Sequence, residues 1–335
     1  MAAGTAADTA AGMAGRMRFE KWQALGNDYL IVESDELPFA LSTARARRLC
    51  ESHFGAAADG VLLLSRSENP EHVADLRIFN ADGSEAELSG NGAREAILYL
   101  RRRGWVERDE FAIGTVAGEI RPAITGADTC RVDMGRASLT SKDFPQGPGD
   151  GRGELRAGGR AWRFRHVSIG NPQCAIAVGS EAELQALQLP AIGPQIEAHA
   201  LFPNRTNVSW YAELRSGADA KIRARIFERG VGETLSSGTG ATGAAVAYLL
   251  ERREREGGGR DGRAQGSVRA QGGEGGGGAH ARPESVTVVL DGGELTVEVA
   301  ESLQVNLTGW ARPVYAGRLS EEFVKELEEM ADETE

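Results

Sequence analysis

The chain has 335 residues, 41% of them apolar, which is enough for two domains of ordinary size with a core in each. Its 38 Lys and Arg against 49 Asp and Glu leave a net charge of -11, which argues against nucleic acid as a partner, because binding a polyanion leans on a basic face. Cys50, Cys130 and Cys174 form no CxxC pair and His53, His72, His166, His199 and His280 lack metal-ligand spacing, so neither a disulfide framework nor a metal site is indicated and a cytoplasmic setting is expected.

Residues 1–16 read as a disordered Ala/Gly tail without the basic and apolar regions of a signal peptide. No run approaches the roughly 18 apolar residues of a spanning helix, so no membrane partner is expected. The folded chain is expected to start at Met17 with the strand MRFEKWQAL, a turn at Gly26-Asn27-Asp28 and a second strand, YLIVES. A helix over STARARRLCESHF follows, opened by Ser42 or Thr43 as N-cap and ended at Gly55. DGVLLLSRS is a buried strand. In AREAILYLRRRGW the spacing of Ala96, Ile97 and Leu100 predicts a helix that stops at Gly104. FAIGTVAGEIRPAI and TCRVDMG read as strands that close a first domain over 17–140. The Gly- and Pro-rich stretch FPQGPGDGRGE marks the boundary.

A second domain over 141–309 repeats the order. RAWRFRHVSIG and QCAIAVG are strands, SEAELQAL is helical, PNRTNVSW is a turn, AKIRARIFER is a strand, and GATGAAVAYLLERRER is a helix. An insert over 255–283 follows, in which 11 of the 22 residues from 257 to 278 are Gly, and such a segment is expected to stay disordered. The strands SVTVVLDGG and ELTVEVA come next. VNLTGWARPVYAGRL and the acidic helix SEEFVKELEEMADETE then end the chain, with 310–335 packing back on the first domain.

One sentence of this chain is written twice. RIFNADGSEAELSGNGA, from Arg77 to Ala93, returns 148 residues later without a gap as RIFERGVGETLSSGTGA, from Arg225 to Ala241, with 8 of 17 positions identical. Four of the eight shared residues are Gly, Ser and Glu, and they include the closing Ser-Gly-x-Gly, which points to two equivalent half-sites facing one ligand. Each copy ends in Ser-Gly-x-Gly-Ala at a helix start. Unpaired backbone N–H groups and the positive end of the dipole favour an anion there, and glycines admit it closely. Neither copy has the GxxxxGK[ST] or GxGxxG pattern of a nucleotide loop. The surrounding polar set, Asn27, Asn80, Asp82, Ser84, Glu85, Asn91, Asn171, Asn207, Glu228, Arg229 and Thr239, suits a zwitterionic amino acid, with Arg229 able to take a carboxylate bidentately.

The strings LGNDY, RIFNADGSEAE, GNGAR, GNPQ, NRTNV and ERGVGETLSSGTGA, in this order from about Met17 to Leu319, resemble the successive signature segments of the diaminopimelate epimerase family. The resemblance implies an α+β fold of two pseudo-symmetric domains, each a mixed sheet or barrel wrapped around a central helix, with the site in the cleft between them. It implies cofactor-free epimerisation of LL-diaminopimelate, a small amino-acid substrate, to the meso form for lysine and peptidoglycan precursor synthesis. A homodimer is a separate expectation. By motif match, Asn27, Asn80, Asn171, Asn207, Glu228 and Arg229 contact substrate. Gly90 with Asn91 and Gly238 with Thr239 receive its α-carboxylate, and the acid/base pair falls on Ser89 and Ser237.

Those two positions depart from the family, which carries cysteine at both, and Gln173 stands where the family usually has His. A thiol titrates near 8.5 and an alkyl hydroxyl roughly five units higher, so forming the base costs on the order of 7 kcal/mol more, about 10⁵ in rate if nothing offsets it. A helix N-terminus returns only about 1 to 2 kcal/mol. Three readings follow: a serine-based epimerase, a related isomerase in which Asp82, Glu85 or Glu233 moves the proton, and an amino-acid-binding protein without catalysis.

Overall fold

The computed structural model of the protein describes residues 17–87, 89–257 and 283–331. The N-terminal tail, His280 and nearly all of the Gly-rich insert lie outside the described residues. The chain divides into two compact units, residues 1–133 with 308–335 and residues 134–307.

In the first unit the chain forms β1 (Arg18–Ala24), β2 (Asn27–Glu33), α1 (Thr43–Cys50), β3 (Gly60–Ser65), β4 (His72–Asn80), β5 (Glu85–Ala86), α2 (Gly90–Arg102), β6 (Ala112–Thr115), β7 (Gly118–Ile120) and β8 (Ala123–Ile124). The division falls within β9 (Thr129–Arg136). The second unit holds β10 (Arg152–Ala157), β11 (Arg160–Ser168), β12 (Pro172–Ala177), α3 (Glu181–Ala186), α4 (Leu189–Glu197), β13 (Asn207–Arg215), β14 (Ala220–Glu228), β15 (Gly232–Thr234), α5 (Gly238–Gly257), β16 (Glu284–Leu290) and β17 (Gly293–Val299). The second crossing lies in β18 (Gln304–Trp310), after which β19 (Arg312–Arg318) and α6 (Glu321–Glu329) complete the first unit.

The two units are built alike. The first sheet has strand order β19-β1-β2-β3-β4-β6-β7 with β5 beside β4, and the second has β10-β11-β12-β13-β14-β16-β17 with β15 beside β14, continued beyond β17 by β18, β9 and β8. β2–β3 and β12–β13 are parallel, β3–β4 and β13–β14 antiparallel, and β4–β6 and β14–β16 parallel again. Both are therefore mixed sheets, and the molecule is an α+β protein of two pseudo-symmetric domains.

In each unit one helix is buried all round, as a central helix must be. Every residue of α2 from Asn91 to Leu100 is buried. In α5, Ala244, Ala245, Val246 and Ala247 have no exposed surface. The GVLLLS run of β3 serves both faces of its sheet, since successive side chains alternate. Val61 and Leu63 join a core with Leu49 of α1 and Val324 and Leu327 of α6, while Leu62 meets Gly92 of α2. The second unit packs Trp162, Ile176, Trp210 and Phe227 against Leu184 of α3 and Leu189 and Ile196 of α4. No helix among the described residues is long and apolar enough to cross a membrane.

Three sequence expectations are corrected. The first helix stops at Cys50, where Glu51 turns to ψ 132, rather than running to Gly55. PNRTNVSW is only half a turn, because the strand β13 starts at Asn207. The helix α4 has no counterpart in the sequence reading: it starts with Pro190 in its first turn and carries Pro194 inside, and both residues look like helix breakers in a sequence.

Candidate active site

The first half-site grows from the N-terminus of α2. Ser89 caps that helix, its Oγ accepting from Gly92 N at 3.1 Å and from the Tyr29 phenol at 3.2 Å. Asn91 donates its amide to Asn27 Oδ1 at 3.2 Å, and Asn27 in turn donates to Asp59 at 2.8 Å. Arg94, fully buried, holds Gly90 O at 2.9 Å and Asn91 Oδ1 at 2.6 Å, so the Asn91 nitrogen is the end presented to Asn27. Strand register sets Tyr29, Gly60 and Asn80 in one row across β2, β3 and β4. A Cβ on Gly60 would stand 2.5 Å from Tyr29 Cε1, so only glycine leaves the ring its place.

The second half-site repeats this frame at α5. Ser237, buried, accepts from Gly240 N at 3.2 Å and donates its own proton to Glu228 Oε2 at 2.9 Å. Thr234 donates to the other carboxylate oxygen at 2.8 Å. Burial pushes the Glu228 carboxyl above its ordinary range, and the two hydroxyl bonds restrain the rise without cancelling it. Asn171 donates to Thr239 Oγ1 at 3.3 Å and accepts from Gln173 at 2.7 Å, as Asn27 accepts from Asn91 in the first unit. Asn207 spends both amide ends on backbone, Pro172 O at 3.0 Å and Arg229 N at 2.9 Å, and so ties β12 to the end of β14. The Arg229 guanidinium is exposed and donates to Asn204 O.

Ser89, Gly90, Asn91 and Asn27 gather at the start of α2, and Ser237, Gly238, Thr239, Glu228 and Asn171 at the start of α5. Asn80, bonded to Ser84 Oγ at 2.9 Å, and Asn207 and Arg229, bonded to strand-end and loop backbone, are not bonded to either helix start. Sequence reasoning misses Tyr29 as the partner of Ser89. A signal is there: LGNDY and IGNPQ, 144 residues apart, match Asn27 to Asn171 and Tyr29 to Gln173, with Gly26 and Gly170 both at positive φ (84° and 80°).

The carboxylates considered as alternative bases do other work. Glu85 is clamped by Arg77 at 2.7 and 2.9 Å, which holds its carboxyl below the ordinary range. Glu233 pairs with Arg225 at 2.8 Å in the matching hairpin, and Asp82 is bonded to Ser84 and likewise lowered. The repeated Arg and Glu of the two copies are thus hairpin clamps. Cys50, Cys130 and Cys174 are unpaired and buried, and desolvation pushes the first two thiols up to about 12 and the third well above its ordinary value. His166 is a packing residue, bonded to Ser141 and held down to about 4 by burial. Among the described residues, no group of three His, Cys, Asp or Glu side chains is placed to hold a metal.

The fold is shared with a solved structure described as the Bacillus anthracis phenazine biosynthesis protein of the PhzF family: TM-score 0.60, 16% identity, over 90% of this chain and 98% of that one. At 16% identity this likeness shows the fold alone, and the class of enzyme comes from closer relatives. The family model for diaminopimelate epimerase matches residues 19–140 and 165–312. A diaminopimelate epimerase of Pelotomaculum thermopropionicum is 36% identical over 90% of this chain and 98% of its own. One of Desulforudis audaxviator is 43% identical over 70% and 84%. The chain belongs to the diaminopimelate epimerase family.

Proposed function

We propose that the protein interconverts the LL and meso forms of 2,6-diaminopimelate by moving a proton at one α-carbon, with protein side chains alone as acid and base. The observation that carries this reading is the pairing of Ser237 with Glu228. Ser237 gives its own proton to a carboxylate and accepts from Gly240 N, which leaves one lone pair for a carbon-bound proton, and a carboxylate raised by burial is a stronger base than a solvated one. As the Cα–H bond breaks, its proton closes on Ser237 Oγ and the serine proton passes to Glu228. Ser89 returns a proton to the opposite face. The N–H groups at Gly90 and Asn91 and at Gly238 and Thr239 suit the α-carboxylate and stabilise the charge that develops beside it. Asn27, Asn80, Asn171, Asn207 and Arg229 complete the substrate contacts.

Three buried, unpaired thiols agree with a cytoplasmic setting. The edge strand β19, with Val314 and Tyr315 exposed, offers a surface for a homodimer, which sedimentation would test. The test of the reaction is incubation with LL- and meso-diaminopimelate in D₂O. Deuterium at Cα in both isomers is expected, and binding without exchange defeats the proposal.

A further inference from the structure

The two serines are wired with opposite polarity. Ser237 donates to Glu228, whereas Ser89 accepts twice, from the Tyr29 phenol and from Gly92 N. With both incoming bonds on its oxygen, Ser89 keeps its own proton free to give. Ser237 has given its proton inward and, with Gly240 N as its one incoming donor, keeps a lone pair free to receive. The gapless repeat matches Glu228 to Asn80, so the first unit has no carboxylate at this step, and its serine takes a phenol from the neighbouring strand instead.

The geometry points to Tyr29 as the residue that makes Ser89 a proton donor, so that the resting protein removes the α-proton at Ser237 and returns one at Ser89. This rests on the epimerase reading given above. The Ser89 Oγ–H bond breaks as a Cα–H bond forms on the substrate carbanion, and the Tyr29 O–H bond breaks as its proton restores the serine hydroxyl, leaving a phenolate. In the same turnover Glu228 has gained the proton taken from Cα. Exchange with water returns a proton to Tyr29 and removes one from Glu228. A phenol supports this because phenols ordinarily titrate near 10, roughly three units below an alkyl hydroxyl. Tyr29 acts through Ser89 and is a positioning residue. Its ring is held by packing: it is 5% exposed and rests on Gly60.

The test is a double-mutant cycle between Tyr29→Phe and Ser89→Cys, read as kcat and KM for diaminopimelate. With serine at 89, Tyr29→Phe is expected to lower kcat at least tenfold while KM stays within twofold. In the Ser89→Cys background, where the thiol supplies its own acidity, the same change is expected to cost less than twofold. Equal losses in both backgrounds, or no loss with serine, overturn the role of Tyr29 and leave the epimerase reading standing. Absence of Cα exchange both in the natural protein and after Ser89→Cys with Ser237→Cys overturns both. Should Tyr29→Phe fail to fold, fluorotyrosine at 29 keeps the shape and changes only phenol acidity, and an unchanged kcat there likewise overturns the proposal.

Discussion

The two half-sites share a backbone and differ in what stands next to the serine. Each has a glycine-flanked helix start, a capping hydroxyl bonded to the N–H three residues on, and an asparagine from a Gly-Asn turn joined to the helix's second residue: Asn27 with Asn91, Asn171 with Thr239. Across the sheet, the row Tyr29–Gly60–Asn80 of the first unit answers the pair Gln173–Asn207 in the second, with Glu228 at the end of the next strand. Where the first has an aromatic ring lying over a glycine, the second has two amides and a carboxylate. The difference teaches that the copied features hold geometry, while the serine's neighbour is not copied: a phenol beside Ser89 and a carboxylate beside Ser237.

Restoring sulfur is the largest way to break this comparison. Ser89→Cys with Ser237→Cys is expected to raise kcat by orders of magnitude, up to about 10⁵ if the whole acidity gap is recovered. A rate unchanged in a coupled assay with meso-diaminopimelate means the hydroxyls are not the limiting groups. Next comes Glu228→Gln, which leaves Ser237 without a base and is expected to lower kcat by about 10² or more, in the range of lost acid–base groups. The same change has a sign in stability. A carboxyl whose folded pKa is raised costs stability progressively as pH climbs from its unfolded value, near 4.3, through the folded one. Glutamine lacks that loss, so the variant should match or exceed the parent in thermal unfolding at pH 7 and show no such gain at pH 4.

Smaller effects sharpen the picture. Gly60→Ala sets a Cβ too close to Phe79 O and 2.5 Å from Tyr29 Cε1, so strand and ring both shift, and kcat should fall about tenfold or more, the order of a modest misplacement. A crystal structure of the variant would check it by the phenol-to-serine distance. Least of all, Arg77→Lys and Arg225→Lys should differ in stability although they occupy matching positions. The Arg77–Glu85 pair is half exposed, with side-chain exposures of 50% and 32%, and is worth about 0.5 kcal/mol. Arg225 is 12% exposed and also donates to Leu184 O and Leu187 O at 2.9 Å, so its loss should cost about 2 kcal/mol. Calorimetry on the two variants reads that difference as a shift of several degrees.

Much of the fold and of the candidate site is legible in the sequence, for physical reasons. The strands announce themselves as apolar runs such as GVLLLS. The two matching helix starts show in the repeat, because a capping serine flanked by glycines is legible in a sequence. What stays hidden depends on register. Tyr29 reaches Ser89 across 60 residues of sequence because β2 and β3 run parallel and place it over Gly60, and no local pattern states that. The polar constellation around the loops mixes two kinds of residue. Glu85 and Glu233 look like acid–base candidates because they are repeated, yet their repetition reflects the two arginines that clamp them. Helix α4 escapes a sequence reading because Pro194 breaks the rule for helix interiors, and buried Leu189 and Ile196 carry the segment nonetheless.

The placement of sulfur in this molecule has a consequence for where it can operate. All three thiols are shut in the interior in their protonated form, and oxygen stands at both helix starts. Alkylating reagents and peroxides attack thiolates that they can reach, and here they meet none. With hydroxyls at both helix starts and every cysteine buried, such reagents have no exposed thiol to consume.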